Sequence, residues 1–243
     1  RKLVSVEIEV DAAAADPIDF SSVGNATTAD GIAEKLCAAG LWTSFRTRPY
    51  SHVPNAADRP AAIYVTAMDS EPLSPDAAPI IAAEAEAFAK GLAAVALLTE
   101  GNTFLCHETG TDIPGADVSG VTTVGFSGPH PAGLAGTHMH FLEPPTADRF
   151  VWTIGYQDVI AIGRLLLTGT LDMTRTIAIA GPLASPPRLV KAVVGASMAE
   201  LCAGDNPDSL PIRMISGSVL SGRAGADVDA YVGRYARQIT LME

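Results

Sequence analysis

The chain has 243 residues, 48% of them hydrophobic and 18% charged, with a formal net charge of −11. That length suits one large domain or two small ones with a sizeable core, and that composition excludes disorder. So acidic a chain repels phosphate backbones and anionic lipid headgroups, which excludes nucleic acid as a partner class and routes any membrane association through another protein.

In chain order, Val4, Val6, Ile8 and Val10 alternate with Ser5, Glu7 and Glu9, the period-two pattern of a half-buried strand. A connector follows over residues 11–28. Asp30 is placed to cap a short helix with Ile32, Leu36 and Cys37 on its apolar face and Gly40 beyond its end. Residues 62–67 read as a buried strand. Residues 75–79 start a helix, and Ile80, Ile81, Glu84, Phe88 and Leu92 continue its spacing to about Leu98. Residues 103–107, 121–126 and 151–155 read as strands, the last running into a helix over 157–167 with Gly169 past its end. The closest approaches to a bilayer-spanning run are broken by Lys90 and Arg164, so direct membrane insertion is not expected. Strands alternating with amphipathic helices predict an α/β sheet with helices packed on its faces. Near Leu171 the rhythm changes: residues 176–180, 188–194 and 212–216 are short strands, with one small helix capped by Ser197 and turning Met198 and Leu201 inward. Two hairpin-linked strands, a helix and further strand make a β-grasp-like order, with a boundary at about residue 171.

Cys37, Cys106 and Cys202 are odd in number and far apart, and read as small buried residues of a reducing compartment. His130, His138 and His140 fall in a stretch rich in Gly and Pro, 126–141, which predicts a specified turn and neither plain helix nor strand. If it is extended, His138 and His140 share a face at a metal-ligand spacing, with His130 a third donor and a metal-dependent hydrolase one reading. The alternative is a structural or secondary site in which these rings bond backbone groups freed by Gly and Pro; no metal is predicted. The pair Gly133 and Gly136 and the stretch 216–222 could form anion nests. There is no G-x-G-x-x-G, Walker loop or nucleophile elbow, and the prolines around Ser127 and His130 disfavour a working Ser–His pair.

The stretch from Trp42 to His52 carries more specific chemistry. Arg46 and Arg48 are planar fork donors, Trp42, Phe45 and Tyr50 are flat apolar walls, and His52 can carry a proton. Together they suit a neutral ring bearing carbonyl oxygens, such as a quinone headgroup. The alternative is that the aromatics anchor the loop in the core while the arginines pair with surface acids.

Gly40-Leu-Trp-Thr-Ser-Phe-Arg-Thr-Arg-Pro-Tyr50, Val65-Thr-Ala-Met-Asp69, Ser127-Gly-Pro-His-Pro-Ala-Gly-Leu-Ala-Gly-Thr-His138, Tyr156-Gln-Asp-Val-Ile-Ala161, Pro187-Arg-Leu-Val190 and Ile215-Ser-Gly-Ser-Val-Leu-Ser-Gly222 resemble the family of A subunits of the sodium-translocating NADH:quinone reductase (Na⁺-NQR). The resemblance runs through nearly the whole chain in order. Proteins of this family are longer at both ends. It implies the last strand of a truncated barrel-sandwich domain over 1–10, a Rossmann-like α/β domain over 11–170, and a soluble-ligand-binding β-grasp domain with a return strand over 171–243. More distantly, the fold is similar to the NADH-binding flavoprotein subunit of respiratory complex I and the C subunit of the Rnf complex. In those relatives a glycine-rich loop after a Gly-Leu step cradles flavin phosphate and NADH. Here Gly40-Leu41 leads instead into bulky side chains, which block close backbone approach to a phosphate.

The resemblance therefore implies a peripheral subunit on the cytoplasmic face of the bacterial inner membrane, in a complex that oxidises NADH, reduces ubiquinone and exports Na⁺. The chain is expected to contribute ubiquinone binding through Trp42, Phe45, Arg46, Arg48, Tyr50 and His52, with His52 or His130 as proton relay. Other subunits are its partners. No FMN, iron–sulfur cluster or catalytic residue of its own is expected, and the isolated fragment should not turn over NADH. A redox-inert scaffold subunit of the same complex is the alternative.

Overall fold

Thr28, not Asp30, caps the first helix: its hydroxyl accepts from the Gly31 amide, and Asp30 sits in the first turn, where its charge complements the helix dipole. The structure is a computed structural model that describes residues 6–9, 17–205, 212–226 and 230–243. Helix α1 runs Ala29–Ala38 and buries Ile32 and Leu36. Cys37 faces solvent on the same helix, so only Cys106 and Cys202 are the buried thiols expected. Gly40 then turns the chain at φ 75°, a left-handed conformation in which glycine avoids the Cβ clash.

A 3₁₀ turn, Leu41–Ser44, leads into β1, Arg46–Arg48. Strand β2, Ala62–Ala67, is buried at every residue. The single helix expected to Leu98 is two: α2, Ala77–Ala82, capped by Asp76, and α3, Ala85–Ala96. They part at Glu84, which leaves helical geometry with its carboxylate on Arg164 at 2.6 Å. Strands β3, Asn102–Glu108, and β4, Val121–Phe126, follow. The His-rich stretch, expected to be neither helix nor strand, contains helix α4, Ala135–Phe141; its glycines and prolines gather mostly in the turn before it. Strand β5, Val151–Gly155, runs directly into α5, Tyr156–Thr168, which ends at left-handed Gly169.

These elements form one sheet in the order β1-β5-β2-β3-β4, with β5, β2, β3 and β4 parallel and β1 antiparallel on the edge. After β2 the chain goes to β3 on one side; after β4 it returns to β5 on the other. The order thus reverses between β2 and β5, and in open α/β sheets ligands favour the carboxyl ends of the strands at such a point. Met139 of α4 packs against Tyr64, Phe104, Cys106 and Val151 on one face. The Tyr64 hydroxyl donates to the Glu143 carbonyl at 2.8 Å, tying the segment after α4 to the sheet, and burial pushes its pKa up to about 12. Helices α3 and α5 pack backbone to backbone: a Cβ on Gly91 would sit 2.0 Å from the Val159 carbonyl oxygen, and one on Gly163 would sit 1.7 Å from that of Ala87.

The chain divides into two compact units: Ile18–Ser70 with Asp76–Asp172, and Met173–Glu243 with Glu71–Pro75. The second contains β6, Thr174–Ala180, β7, Arg188–Val193, the short helix α6, Met198–Leu201, β8, Arg213–Ser216, β9, Arg223–Ala224, and β10, Gln238–Met242. Its sheet order is β7-β6-β10-β8-β9, with β10 parallel to β6 and the other pairs antiparallel. Ser197 caps α6, and Met198 joins Ile177, Ile179, Ile239 and Leu241 in the core. The Gln238 amide donates to the Pro72 carbonyl at 2.9 Å, which brings Glu71–Pro75 to this sheet. Arg188 grips the buried Asp205 carboxylate with both terminal nitrogens, at 2.9 and 2.8 Å, and so holds that carboxyl below the ordinary carboxylate range.

Residues 6–9 form no strand, and Val6 and Ile8 are both exposed; the rest of the strand expected over 1–10 lies outside the described residues. A strand needs a neighbour for its ladder, and among the described strands none pairs with 6–9. Among the described residues no helix is long and apolar enough to cross a membrane.

Candidate functional site: an edge hairpin beside a buried aromatic cluster

The 3₁₀ turn folds large rings inward. The Trp42 and Phe45 rings lie 5.2 Å apart, and both meet Trp152 of β5, at 5.5 Å edge-on and 5.4 Å. Phe45 and Trp152 expose nothing, Trp42 is 6% exposed, and the Trp42 indole N–H donates to the Pro54 carbonyl at 2.9 Å. Ser44 donates to Asp158 in the first turn of α5 at 3.1 Å, fastening the turn over the carboxyl end of β5. This corrects the expectation that Trp42 and Phe45 sandwich a ligand ring. Their faces are spent on Trp152 and on each other.

Strand β1 then descends the sheet edge antiparallel to β5, Arg46 opposite Thr153 and Arg48 opposite Val151, so its tip emerges at the amino end of β5. Arg46 and Arg48, two residues apart, project from one face of the strand. The tip takes left-handed backbone at two successive non-glycine residues, Tyr50 (φ 78°) and Ser51 (φ 54°), a cost of about 1–3 kcal/mol each. Hydrogen bonds hold it: Ser51 N to Thr47 O at 2.9 Å, Thr47 N to His52 O at 2.8 Å, and His52 N to the Thr47 hydroxyl at 3.0 Å. Tyr50 is 75% exposed, and its ring lies 6.4 Å from that of His52 at an interplanar angle of 31°. The Arg46 Nε donates to the Ser51 hydroxyl at 3.3 Å. Arg48 is half-buried; burial, and then the like charge of Arg46, depress its guanidinium below the ordinary range, and among the described residues no carboxylate pairs with it. The six expected ligand residues thus separate into a core pair and a surface hairpin.

The three histidines do not converge. His130 Nδ1 lies 3.2 Å from both the hydroxyl and the carbonyl of Ser70, just beyond the carboxyl end of β2, and the Ser70 hydroxyl accepts from the Gly133 amide at 2.8 Å. A carbonyl only accepts, so in this contact Nδ1 is the donor. His138 is fully buried, with Nε2 donating to the Ala132 carbonyl at 2.9 Å and its ring 4.3 Å from that of Phe126. His140, two residues on, is exposed against Phe141, because positions two apart on a helix point to different sides. Among the described residues no group of three or more His, Cys, Asp or Glu could hold a metal ion.

His138 carries a pH prediction. Burial lowers it below the ordinary histidine value of 6.5, and its Nδ1 is buried without a partner. Above that pH the His138 ring is neutral in both the folded and the unfolded chain. As pH falls below it, the unfolded chain takes up the proton more readily, so the folded state loses stability. The thermal midpoint should therefore drop on acidification from about pH 7 to about pH 5. His138→Gln, which keeps a donor for Ala132, should flatten that dependence.

A sequence profile described as the NqrA second alpha/beta domain matches residues 27–171, and one described as the NQRA C-terminal domain matches residues 176–226. The chain belongs to the NqrA family. Among curated relatives it is 45% identical over 244 residues to the A subunit of the Na(+)-translocating NADH-quinone reductase of Saccharophagus degradans, covering 100% of this chain and 54% of that protein. It is 49% identical over 247 residues to the protein of the same description in Shewanella denitrificans, with the same coverage of each. The chain spans about half the length of the curated relatives it matches. In backbone it is similar to a chain of an NAD+-reducing [NiFe]-hydrogenase in the air-oxidized state, with a TM-score of 0.57 at 13% identity, over 90% of this chain and 47% of that one. At that identity the likeness shows a shared fold alone.

For this NqrA-family chain, sequence reasoning missed Trp152 as the third ring of the aromatic cluster and Ser70 as the partner of His130. Trp152 sits in a stretch read correctly as a strand and Ser70 lies past the end of another, but no local pattern announces which distant residue each will meet. Two successive left-handed residues at Tyr50 and Ser51 also had no sequence signal, since neither is glycine or asparagine.

Proposed function

We propose that this chain is the central part of a peripheral, cytoplasmic-side subunit of a sodium-translocating NADH:quinone reductase, docking on the other subunits of the complex and contributing a ubiquinone contact without a flavin or NADH site of its own. Family membership supports the complex, since the relatives carry that description. The parallel sheet with its reversal between β2 and β5 supports a Rossmann-like first unit, and the central parallel pair β6 and β10 flanked by antiparallel strands supports a β-grasp second unit. The observation that carries the missing flavin site is the 3₁₀ turn: where a dinucleotide would need bare amides at the switch point, Leu41 and Trp42 are buried and Ser44 is bound to Asp158.

Ubiquinone contact then belongs to the surface part of the loop. Arg46 and Arg48 donate to ring oxygens, Tyr50 and His52 flank the ring, and His52 relays protons taken up on reduction. A redox-inert scaffold is the second reading, favoured by the burial of Trp42 and Phe45. Equilibrium binding of a short-chain ubiquinone to the full-length subunit separates the two. Tyr50→Ala and Arg48→Met should weaken it about tenfold with an unchanged unfolding midpoint; affinity equal to wild type in both variants would assign the scaffold. Titration with FMN or NADH should give no saturable binding.

A further inference from the structure

We infer that β4, an open edge of the first sheet, receives an extended segment of another subunit that carries Lys or Arg at its ends. The inference rests on the proposed docking within the complex and adds to it the surface and the kind of partner.

The outer strands of a sheet leave a row of backbone groups unpaired, and proteins blunt them with short strands, charges, proline, bulges or a cover of their own chain. Among the described strands, three of the edges are blunted in these ways. β1 has three residues, two of them Arg, and its Thr47 amide is bonded by the His52 carbonyl of its own tip at 2.8 Å. β7 carries Arg188 and Lys191, and β9 is two residues long. β4 differs from all three. Its six residues, Val-Thr-Thr-Val-Gly-Phe, hold no charge and no proline, and none of them is buried. They pair with β3 in unbroken register, from Val121 opposite Thr103 to Phe126 opposite Glu108, without a bulge. The ladder is bracketed by Thr103 N on the Gly120 carbonyl at 3.3 Å and Thr109 N on the Phe126 carbonyl at 2.9 Å. Alternation from these ends turns the peptide groups of Thr122, Val124 and Phe126 toward β3 and those of Thr123 and Gly125 outward. Outward groups two residues apart are what an added strand bonds.

Charge selects the kind of partner. Between Lys90 and Arg149 the chain has no Lys or Arg but six Asp or Glu. Three of these acids are exposed around β4: Glu108 opposite Phe126, Asp117 four residues ahead of Val121, and Asp112 on the crossover between them. A second copy of this chain would bring acid to acid across the edge, whereas Lys or Arg flanking the incoming strand would face opposite charge.

The test is hydrogen exchange of the full-length subunit, alone and in the purified complex, resolved at the β4 amides. The outward amides of Thr123 and Gly125 should exchange freely in the subunit alone and slow about tenfold or more in the complex, while those of Thr122 and Val124 stay slow in both. Thr123→Pro removes an outward N–H and leaves the ladder to β3 its bonds. Asp112→Lys combined with Asp117→Lys reverses charge on the exposed crossover. Each variant should weaken association with the rest of the complex about tenfold, with an unfolding midpoint near that of wild type. Outward amides as fast in the complex as in the subunit alone would overturn the docking edge. Slow exchange already in the subunit alone would also overturn it, assigning the edge to the remainder of the chain if the subunit is monomeric and to a second copy if it is dimeric. Charge reversal without effect would overturn the basic partner. A subunit that does not co-purify with the complex would overturn the proposed function together with this inference.

Discussion

Phe45→Ala should destabilise the first unit by about 3–5 kcal/mol, the range for emptying a fully buried aromatic site. The ring fills a space bounded by Trp42 at 5.2 Å and Trp152 at 5.4 Å, and neither neighbour can relax into the void without losing its contact with the other. For a unit of this size that loss corresponds to a drop in unfolding midpoint of roughly 10 °C. Phe45→Leu, which keeps much of the apolar volume, should cost clearly less. Thermal unfolding of the full-length subunit measures both. A Phe45→Ala protein with a near-native midpoint but no quinone affinity would return this residue from the core to the ligand wall.

Gly163→Ala should cost about 3 kcal/mol or more, despite alanine being the better helix former by about 1 kcal/mol. The added Cβ would lie 1.7 Å from the Ala87 carbonyl oxygen, an atom of the α3 backbone that cannot rotate away. Helices α3 and α5 would have to separate, and with them the contact in which Gly91 faces Val159. Gly136→Ala is the control: it too lies within a helix, α4, but its Cβ would meet nothing within 4 Å. There the helix propensity acts alone, and the substitution should stabilise by up to about 1 kcal/mol. Opposite signs for the same chemical change, read as unfolding midpoints, would establish that close backbone approach and not glycine content sets the demand at residue 163.

Much of the first sheet is legible in the sequence. Residues 62–67, 121–126 and 151–155 are strands with the expected bounds, and Ser197 caps its helix as expected. These features are local: a period of two, an apolar run between turn residues, a hydroxyl ahead of a first turn. The misreadings share the opposite character. Residues 6–9 alternate like a strand yet pair with no described strand, Thr28 and not Asp30 accepts from the free Gly31 amide of the first turn, and Cys37 lies on the edge of a stripe whose width only packing sets. In the His-rich stretch, glycine and proline argue against a helix, but they fall mostly ahead of α4 and shape its approach.

The candidate site makes the same division most sharply. Residue types alone placed rings and guanidinium groups side by side from Trp42 to His52, excluded a glycine-rich phosphate cradle there, and carried the resemblance to the family. They could not say which rings are wall and which are core. That depended on β5 lying antiparallel beside β1, which delivers Trp152 to Trp42 and Phe45 and sends the chain down the edge to a half-buried Arg48 and to Tyr50 and His52 in solvent. An aromatic side chain has the same pattern in sequence whether its face meets another ring or water, and the partner that makes the difference arrives from far along the chain.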